Sequence, residues 1–274
     1  MPENRIMVRF WGVRGSIPCA DSRSLRYGGN TSCVEVRCGD HILIFDAGSG
    51  LRPLGASLDS GPKDIDLFLS HCHIDHLIGL PFFTPIFDSS SRVRLWAGGL
   101  QQAGGLKSAV DKMMSFPFFP VGSEAATGIV SFNDFSRGDV LTPRDNIVLR
   151  TASLNHPGGA TGYRIEYGGR AMCYLTDNAL GGAPDPALLA LAKDAALVIT
   201  DAAYTDAELP EHEGWGHSSW QQAVRFADAA HVKTLCLFHH DPDHDDIFMD
   251  GIAAEASQAR VGTLVAREGL VIEF

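Results

Sequence analysis

The sequence predicts an α/β fold whose sheets carry helices on their outer faces, and two observations predict it. Strand-like segments recur along the whole chain, first joined by turns and later alternating with helix-like stretches. No low-complexity linker or break in composition divides them, so the expectation is a single domain over 1–274. At 45% hydrophobic residues the chain can bury a core of the size such a domain needs.

In chain order the strand-like segments are IMVRFWG (6–12), CVEVRC (33–38), HILIFDAG (41–48), DLFLSH (66–71), RVRLWA (92–97) and NIVLRTA (146–152). They continue with TGYRIEYGG (161–169), RAMCYLTD (170–177), ALVITDAAY (196–204), TLCLFHH (234–240) and LVIEF (270–274). Gly168-Gly169 supplies a turn, so 161–177 reads as a hairpin. The clearest helices are 218–231 and 250–260. In the first, Trp220, Val224 and Ala227 recur at helical spacing, and Ser218 or Ser219 can cap the N-terminus. The stretch from Leu100 to Val130, with SFPFFPVG inside it, is the least regular and reads as a loop or lid.

The bulk chemistry excludes several classes. A net charge of −11 and no Lys/Arg cluster argue against a nucleic-acid partner, whose backbone is gripped by basic stripes. Part of the excess is local, since DPDHDD at 241–246 reads as an acidic surface run. No apolar run approaches the roughly 20 residues that span a bilayer. The start, MPENRIMVRFWG, lacks the apolar stretch and cleavage site of a signal peptide. Cys19, Cys33, Cys38, Cys72, Cys173 and Cys236 form no C-x-x-C pair and suit a reducing compartment. The expectation is a cytoplasmic enzyme; a homodimer is left open.

The chemistry concentrates in LFLSHCHIDHLIGLPFF (67–83). An apolar strand runs into a tight loop that delivers His71, His73, Asp75 and His76 within six residues. Alternate side chains of an extended segment point the same way, so His71 and His73 can converge on one metal. The chain then bends, and Asp75 and His76 can meet a second. One histidine would read as a core or surface residue; three with an aspartate at this spacing read as a metal site. Imidazole with carboxylate suits zinc, and manganese or iron at higher coordination.

With that motif the chain resembles the metallo-β-lactamase superfamily, whose metal loop has the form His-x-His-x-Asp-His after a strand. More narrowly it resembles the phosphodiesterase-like branch that holds ribonuclease Z, the phosphonate-pathway cyclic phosphodiesterase and cyclic-nucleotide phosphodiesterases. The resemblance implies an αβ/βα four-layer sandwich with two divalent metal ions per chain. It also implies where the remaining ligands stand: His156 in SLNHPGGATG, Asp177 as the shared ligand after AMCYLT, and His239 or His240 at the end of TLCLF. Strand alternation lets one of these neighbours face the site, and the family pattern favours His239. His217 in GWGHSSW matches the histidine of the ribonuclease Z His-Ser-Thr motif, and Asp201 matches its acidic partner. The departures are Asp for Glu at 201 and Ser for Thr at 219. Asp46, ending HILIFD, matches a family aspartate beside the metal loop and is expected to orient a ligand histidine.

The implied activity is metal-assisted hydrolysis of small phosphodiesters such as cyclic nucleotides, with Asp75, His217 and Asp201 in catalytic roles. The rivals are a ribonuclease Z-like tRNA 3′-processing endonuclease, a lactonase or β-lactamase, and a non-catalytic metal-binding protein. Arg14 and Asn30 are expected to border the site or to hold a turn. His41 and His231 read as surface residues, His212 has no matching position, and His244 lies near enough to His239 in sequence to approach the pocket. The run Phe116, Phe118 and Phe119, stiffened by Pro117 and Pro120, is read as a flap over the metals or as an anchor elsewhere.

Overall fold

Residues 5–274 are described in a computed structural model; the first four, where the signal-peptide reading begins, lie outside the described residues. Period-two alternation makes the opening strand. In β1 (Ile6–Gly12) every second residue is buried and the others are half-exposed. The first half continues with β2 (Cys33–Cys38), β3 (His41–Phe45), α1 (Leu51–Ser57), β4 (Asp64–Leu69), β5 (Arg92–Gly98), α2 (Gly105–Met113) and β6 (Ile129–Phe135). The second half holds β7 (Val140–Arg144), β8 (Ile147–Leu154), β9 (Ala160–Tyr167), β10 (Arg170–Leu175), α3 (Pro186–Ala192), β11 (Leu197–Asp201) and α4 (Trp220–Ala229). It ends with β12 (Thr234–Phe238), α5 (Asp246–Ala259), β13 (Thr263–Val265) and β14 (Val271–Glu273).

The strands form two seven-stranded sheets, ordered β14-β1-β2-β3-β4-β5-β6 and β13-β12-β11-β10-β9-β8-β7. In each sheet antiparallel pairings give way to parallel ones, at β3–β4 in the first and at β10–β11 in the second. Parallel strands lie under helices, so they are buried on both faces; all five residues of β11 are buried. Side chains alternate between two cores accordingly. Phe45, Phe68, Tyr174, Ile199 and Phe238 fill the space between the sheets. Ile44, Leu67 and Leu95 pack under Leu54 of α1 and Val110 of α2, while Leu175, Val198 and Leu237 pack under α3, α4 and α5. The layers run helix, sheet, sheet, helix: the αβ/βα sandwich expected from the resemblance.

The hairpin at 161–177 pairs Tyr167 with Arg170, and Gly168 and Gly169 both take positive φ (58° and 76°) in its turn. Helix α4 is capped by Ser219, whose hydroxyl accepts from the Gln222 N–H in a reciprocal box. Two expectations change. Helix α5 begins at Asp246, not at 250, because Asp245 caps the N–H groups of Ile247 and Phe248. The acidic run is therefore partly structural, and buried Asp246 accepts from the backbone N–H groups of Arg26 and Tyr27. Segment 100–130 is irregular only in part, chiefly over 114–128. It holds α2, whose Leu106 and Val110, with Met114 just beyond, are buried at helical spacing. Among the described residues no helix is long and apolar enough to cross a membrane.

Candidate metal centre

The parallel strands β4, β11 and β12, together with β10 beside them, end at one edge of the sandwich, and the candidate residues stand just past those ends. After β4 the chain passes through Ser70 and His71 to a single 3-10 turn, Ile74–His76. This turn is tied down by two bonds: the Ala47 N–H donates to His76 O and the Gly79 N–H to Ala47 O, at 2.8 and 2.9 Å. His71, Asp75 and His76 are thereby buried and His73 is exposed at the mouth. His156 follows β8, Asp177 follows β10, and His239 follows β12. Asp46, Asp177 and His239 all sit in the left-handed region, at φ 62°, 56° and 61°. Non-glycine residues adopt it at a cost of about 1–3 kcal/mol each, which concentrates at functional sites.

Two histidine-rich groups result. His71, His73 and His156 form one, and Asp75, His76 and His239 the other; within each, one ligand atom per residue lies within 4.8 Å of the others. His156 Nε2 stands 3.1 Å from His73 Nδ1. Asp177 lies between the groups. Its Oδ1 is 3.9 Å from His71 Nε2, 3.7 Å from His156 Nε2 and 3.3 Å from His239 Nε2, and its Oδ2 is 3.2 Å from His76 Nε2. Asp75 Oδ2 lies 3.1 Å from His76 Nε2 and 3.4 Å from His239 Nε2.

The far nitrogen of several rings is fixed by a bond outside the cluster. His76 Nδ1 is 2.8 Å from Asp46 Oδ2, His71 Nδ1 is 3.0 Å from the Ser70 hydroxyl, and His156 Nδ1 is 3.0 Å from Gly216 O. Such bonds set which nitrogen points inward. Asp46 is itself held by the Ser70 N–H and hydroxyl and by the Tyr174 hydroxyl at 2.8 Å. Gly15 is required by proximity, since a Cβ there would stand 2.4 Å from His239 Cε1. The Ser16 N–H donates to Asp75 Oδ2 at 2.9 Å. Sequence reasoning missed Ser70, Tyr174, Gly15, Ser16 and Gly216. Ser70, next to the motif, is the one with a local signal.

Electrostatics fit a cation. Burial alone would raise Asp75 and Asp177, yet His76 and His239 hold both well below the usual carboxylate range. Burial keeps His71 and His156 neutral by pushing their pKa values down, the state in which imidazole binds metal. His76 is opposite: burial lowers it, but Asp177, Asp46 and Asp75 outweigh that and push it up. Buried His71 Nε2, His76 Nε2 and His239 Nε2 make no well-directed hydrogen bond, although the last two lie 3.1–3.4 Å from the carboxylate oxygens of Asp75 and Asp177. Buried nitrogens that face carboxylates without such a bond need a ligand, and divalent metal ions satisfy them.

Beside the cluster, His217 Nδ1 donates to Asp201 Oδ2 at 2.7 Å, and the His217 ring stacks on His239 at 5.0 Å between centroids. Burial lowers the His217 pKa, but the Asp201 charge and hydrogen bond more than offset it and raise it to about 9. Other candidates go elsewhere. His240 Nε2 turns away to Ala266 O at 2.8 Å. Arg14 is buried and donates to the carbonyls of Gly28, Asp241 and His244, so it braces loops. Asn30 binds Glu268 and Ser49. His244 pairs with Glu208 at 2.9 Å, His212 stacks on Tyr204, His231 is exposed and His41 half-exposed. The phenylalanine run does not cover the cluster. Phe116 and Phe118 are exposed, while Phe119 meets Phe82 edge-on and lines a cavity of about 750 Å³ with Met114 and Phe132, away from the histidines.

Two helix-covered sheets with His and Asp gathered at their strand ends define a metallo-β-lactamase-type hydrolase. The chain belongs to the metallo-β-lactamase superfamily: residues 41–240 match the beta-lactamase superfamily domain. It is 23% identical to the ribonuclease Z of Haloarcula marismortui, over 95% of this chain and 94% of that protein. Among solved structures it is similar to the metallo-beta-lactamase fold protein YhfI of Bacillus subtilis, with TM-score 0.73, 20% identity and 99% and 100% of the two chains covered. It is also similar to the short form of human tRNase Z, with TM-score 0.70, 21% identity and 97% and 98% covered. At these identities the structural likeness speaks for the fold.

Proposed function

We propose that this chain is a phosphodiester hydrolase working as one domain with two divalent ions. His71, His73 and His156 hold one, Asp75, His76 and His239 hold the other, and Asp177 is shared. The observation that carries this reading is Asp177, with a carboxylate oxygen within 3.9 Å of an inward nitrogen from four histidines in two groups. Nitrogen and carboxylate ligands favour zinc. When bound, two such ions lower the pKa of water and neutralise charge on a phosphodiester.

The chain's own residues supply the rest. His217 is oriented by Asp201 through Nδ1, which leaves Nε2 to carry the proton given to the departing oxygen. A carboxylate behind an imidazole keeps that proton available at neutral pH, as the raised pKa of about 9 indicates. Asp46 and Ser70 keep His76 and His71 in register, so that their Nε2 atoms stay inward.

For the substrate, two observations pull apart. The charge of −11 favours a small diester over a polyanion. Relatives named ribonuclease Z, matched over nearly their whole length, support processing of tRNA 3′ ends more than hydrolysis of cyclic nucleotides. The alignment with the Haloarcula protein runs to 315 positions against 274 residues here, so the relative carries segments without a counterpart in this chain. Metal-loaded protein assayed side by side on pre-tRNA, 2′,3′- and 3′,5′-cyclic nucleotides, bis-p-nitrophenyl phosphate, a lactone and a β-lactam decides the matter. Turnover of the lactone or β-lactam with none of any phosphodiester would overturn the reading.

A further inference from the structure

The rings of the metal centre continue outward along one path. His217 lies 5.3 Å from His156 between centroids, and Tyr204 lies 6.1 Å from His217. His212 stacks on Tyr204 at 4.0 Å and 15°, and Trp215 meets His212 edge-on at 4.9 Å and 86°. Tyr204 is buried, His212 half-buried and Trp215 59% exposed, so the ladder begins in the interior and ends in solvent.

The exposure of Trp215 is built into the backbone. Gly214 and Gly216 flank it at φ 84° and 86°, values that a side chain rarely tolerates. A Cβ on Gly216 would also stand 2.3 Å from Pro157 Cδ and 2.4 Å from His156 Nδ1. Gly216 O is the group that fixes His156. Trp215 is therefore one peptide away from a residue that touches the cluster through His156, whose Nε2 stands 3.1 Å from Nδ1 of the exposed His73.

We infer that Trp215, braced by His212, is the platform on which a nucleobase flanking the scissile phosphodiester stacks. The inference rests on the phosphodiesterase reading and names a recognition element for it. Every base has a π-face, so stacking serves any nucleotide and contributes about 1–3 kcal/mol per base. A chain of charge −11 gains little from attracting phosphates at a distance, which makes an uncharged grip on the base the available way to hold a nucleotide. A tryptophan has only two side-chain torsions, so it also loses little conformational freedom on binding.

The test compares metal-loaded wild-type, Trp215→Ala and Trp215→Phe proteins on a dinucleotide and on its abasic analogue. In W215A the preference in kcat/KM for the base-carrying diester should fall about tenfold, mostly through KM, and W215F should restore most of it. An unchanged preference, or an equal fall on both substrates, would overturn the platform and leave Trp215 a loop prop. A cyclic nucleotide and a pre-tRNA run in parallel tell whose base is held, by which of them loses turnover in W215A. If the wild-type protein cleaves no diester, the phosphodiesterase reading falls on its own. The platform is then judged by quenching of tryptophan fluorescence with adenosine monophosphate: loss of the quench in W215F supports it, and an undiminished quench refutes it.

Discussion

In the first sheet, β3 is followed by three parallel neighbours in the order β3-β4-β5-β6, and in the second, β10 leads β11, β12 and β13 in the same way. Strand β3 thus corresponds to β10, and just beyond their ends stand Asp46 and Asp177, both with positive φ. His76 lies between these two aspartates, with Nδ1 2.8 Å from Asp46 and Nε2 3.2 Å from Asp177. Equivalent strand-end positions therefore do different chemistry. The aspartate that meets the outer nitrogen is placed to support the ring, while the one that meets the inner nitrogen is, in the proposed reading, the shared metal ligand. The halves also differ in how they deliver histidines. The first half concentrates its residues in the loop after β4, and the second sets one residue after each of several strands.

The sharpest way to break this comparison is to remove each aspartate. Asp177→Ala should empty both metal sites and lower phosphodiester turnover by at least roughly 10³-fold, as groups that act as a unit fail together. Metal analysis after gel filtration gives the count. Should Asp46→Ala empty the protein as completely, the distinction between sharing and supporting aspartate collapses.

Next in size is His217→Ala, expected to cost roughly 10²–10⁴ in turnover with metal content unchanged. Asp201→Asn should act in the same direction but less strongly. Metal lost together with activity would make His217 a ligand, and the second half would then hold a further metal-binding residue.

A smaller effect belongs to Asp46→Asn, which keeps the shape but weakens the bond to His76. Metal affinity should fall roughly 10- to 100-fold, measured by competition with a chelator. An affinity within about twofold of wild type would remove Asp46 from the account.

The smallest change probes whether the helix after His217 matters to the site. Ser219→Ala removes the cap of α4 and should cost about 1 kcal/mol in denaturant unfolding with metal content intact. Metal loss in this variant would show that the second half relies on its helix for more than packing.

The same contrast explains what could be read from the sequence. His71, His73, Asp75 and His76 are legible because four chemical groups share six residues after an apolar strand. His156, Asp177 and His239 are single residues at the ends of separate strands, and only the resemblance pointed to them. Between His239 and His240, alternation could say that one faces inward, not which. Strand β6 escaped notice because most of its residues are half-exposed. Helix α2 was hidden by Gly104 and Gly105 ahead of it and by the phenylalanine–proline stretch behind it. The start of α5 was masked because its capping aspartates look like a solvated acidic run. Tyr174 could not have been found locally, since its link to Asp46 spans 128 residues.

That link carries a practical consequence for anyone wishing to repurpose the scaffold. The Tyr174 hydroxyl reaches Asp46 from between the sheets, and the Tyr163 hydroxyl reaches Leu69 O, at the end of β4, at 2.6 Å. Both tyrosines are fully buried between the sheets, where their rings pack on Phe45. The floor of the metal centre is thus bolted to the middle of the sandwich, whereas its rim, at His73 and Trp215, is open to solvent. The Trp215 side chain can be exchanged to alter selectivity with the floor undisturbed, provided His73 and Gly216 are kept, since His73 belongs to the histidine cluster and Gly216 O fixes His156. Substitutions around Phe45, though remote from any substrate, will be felt as weaker metal retention before they are felt as lost selectivity.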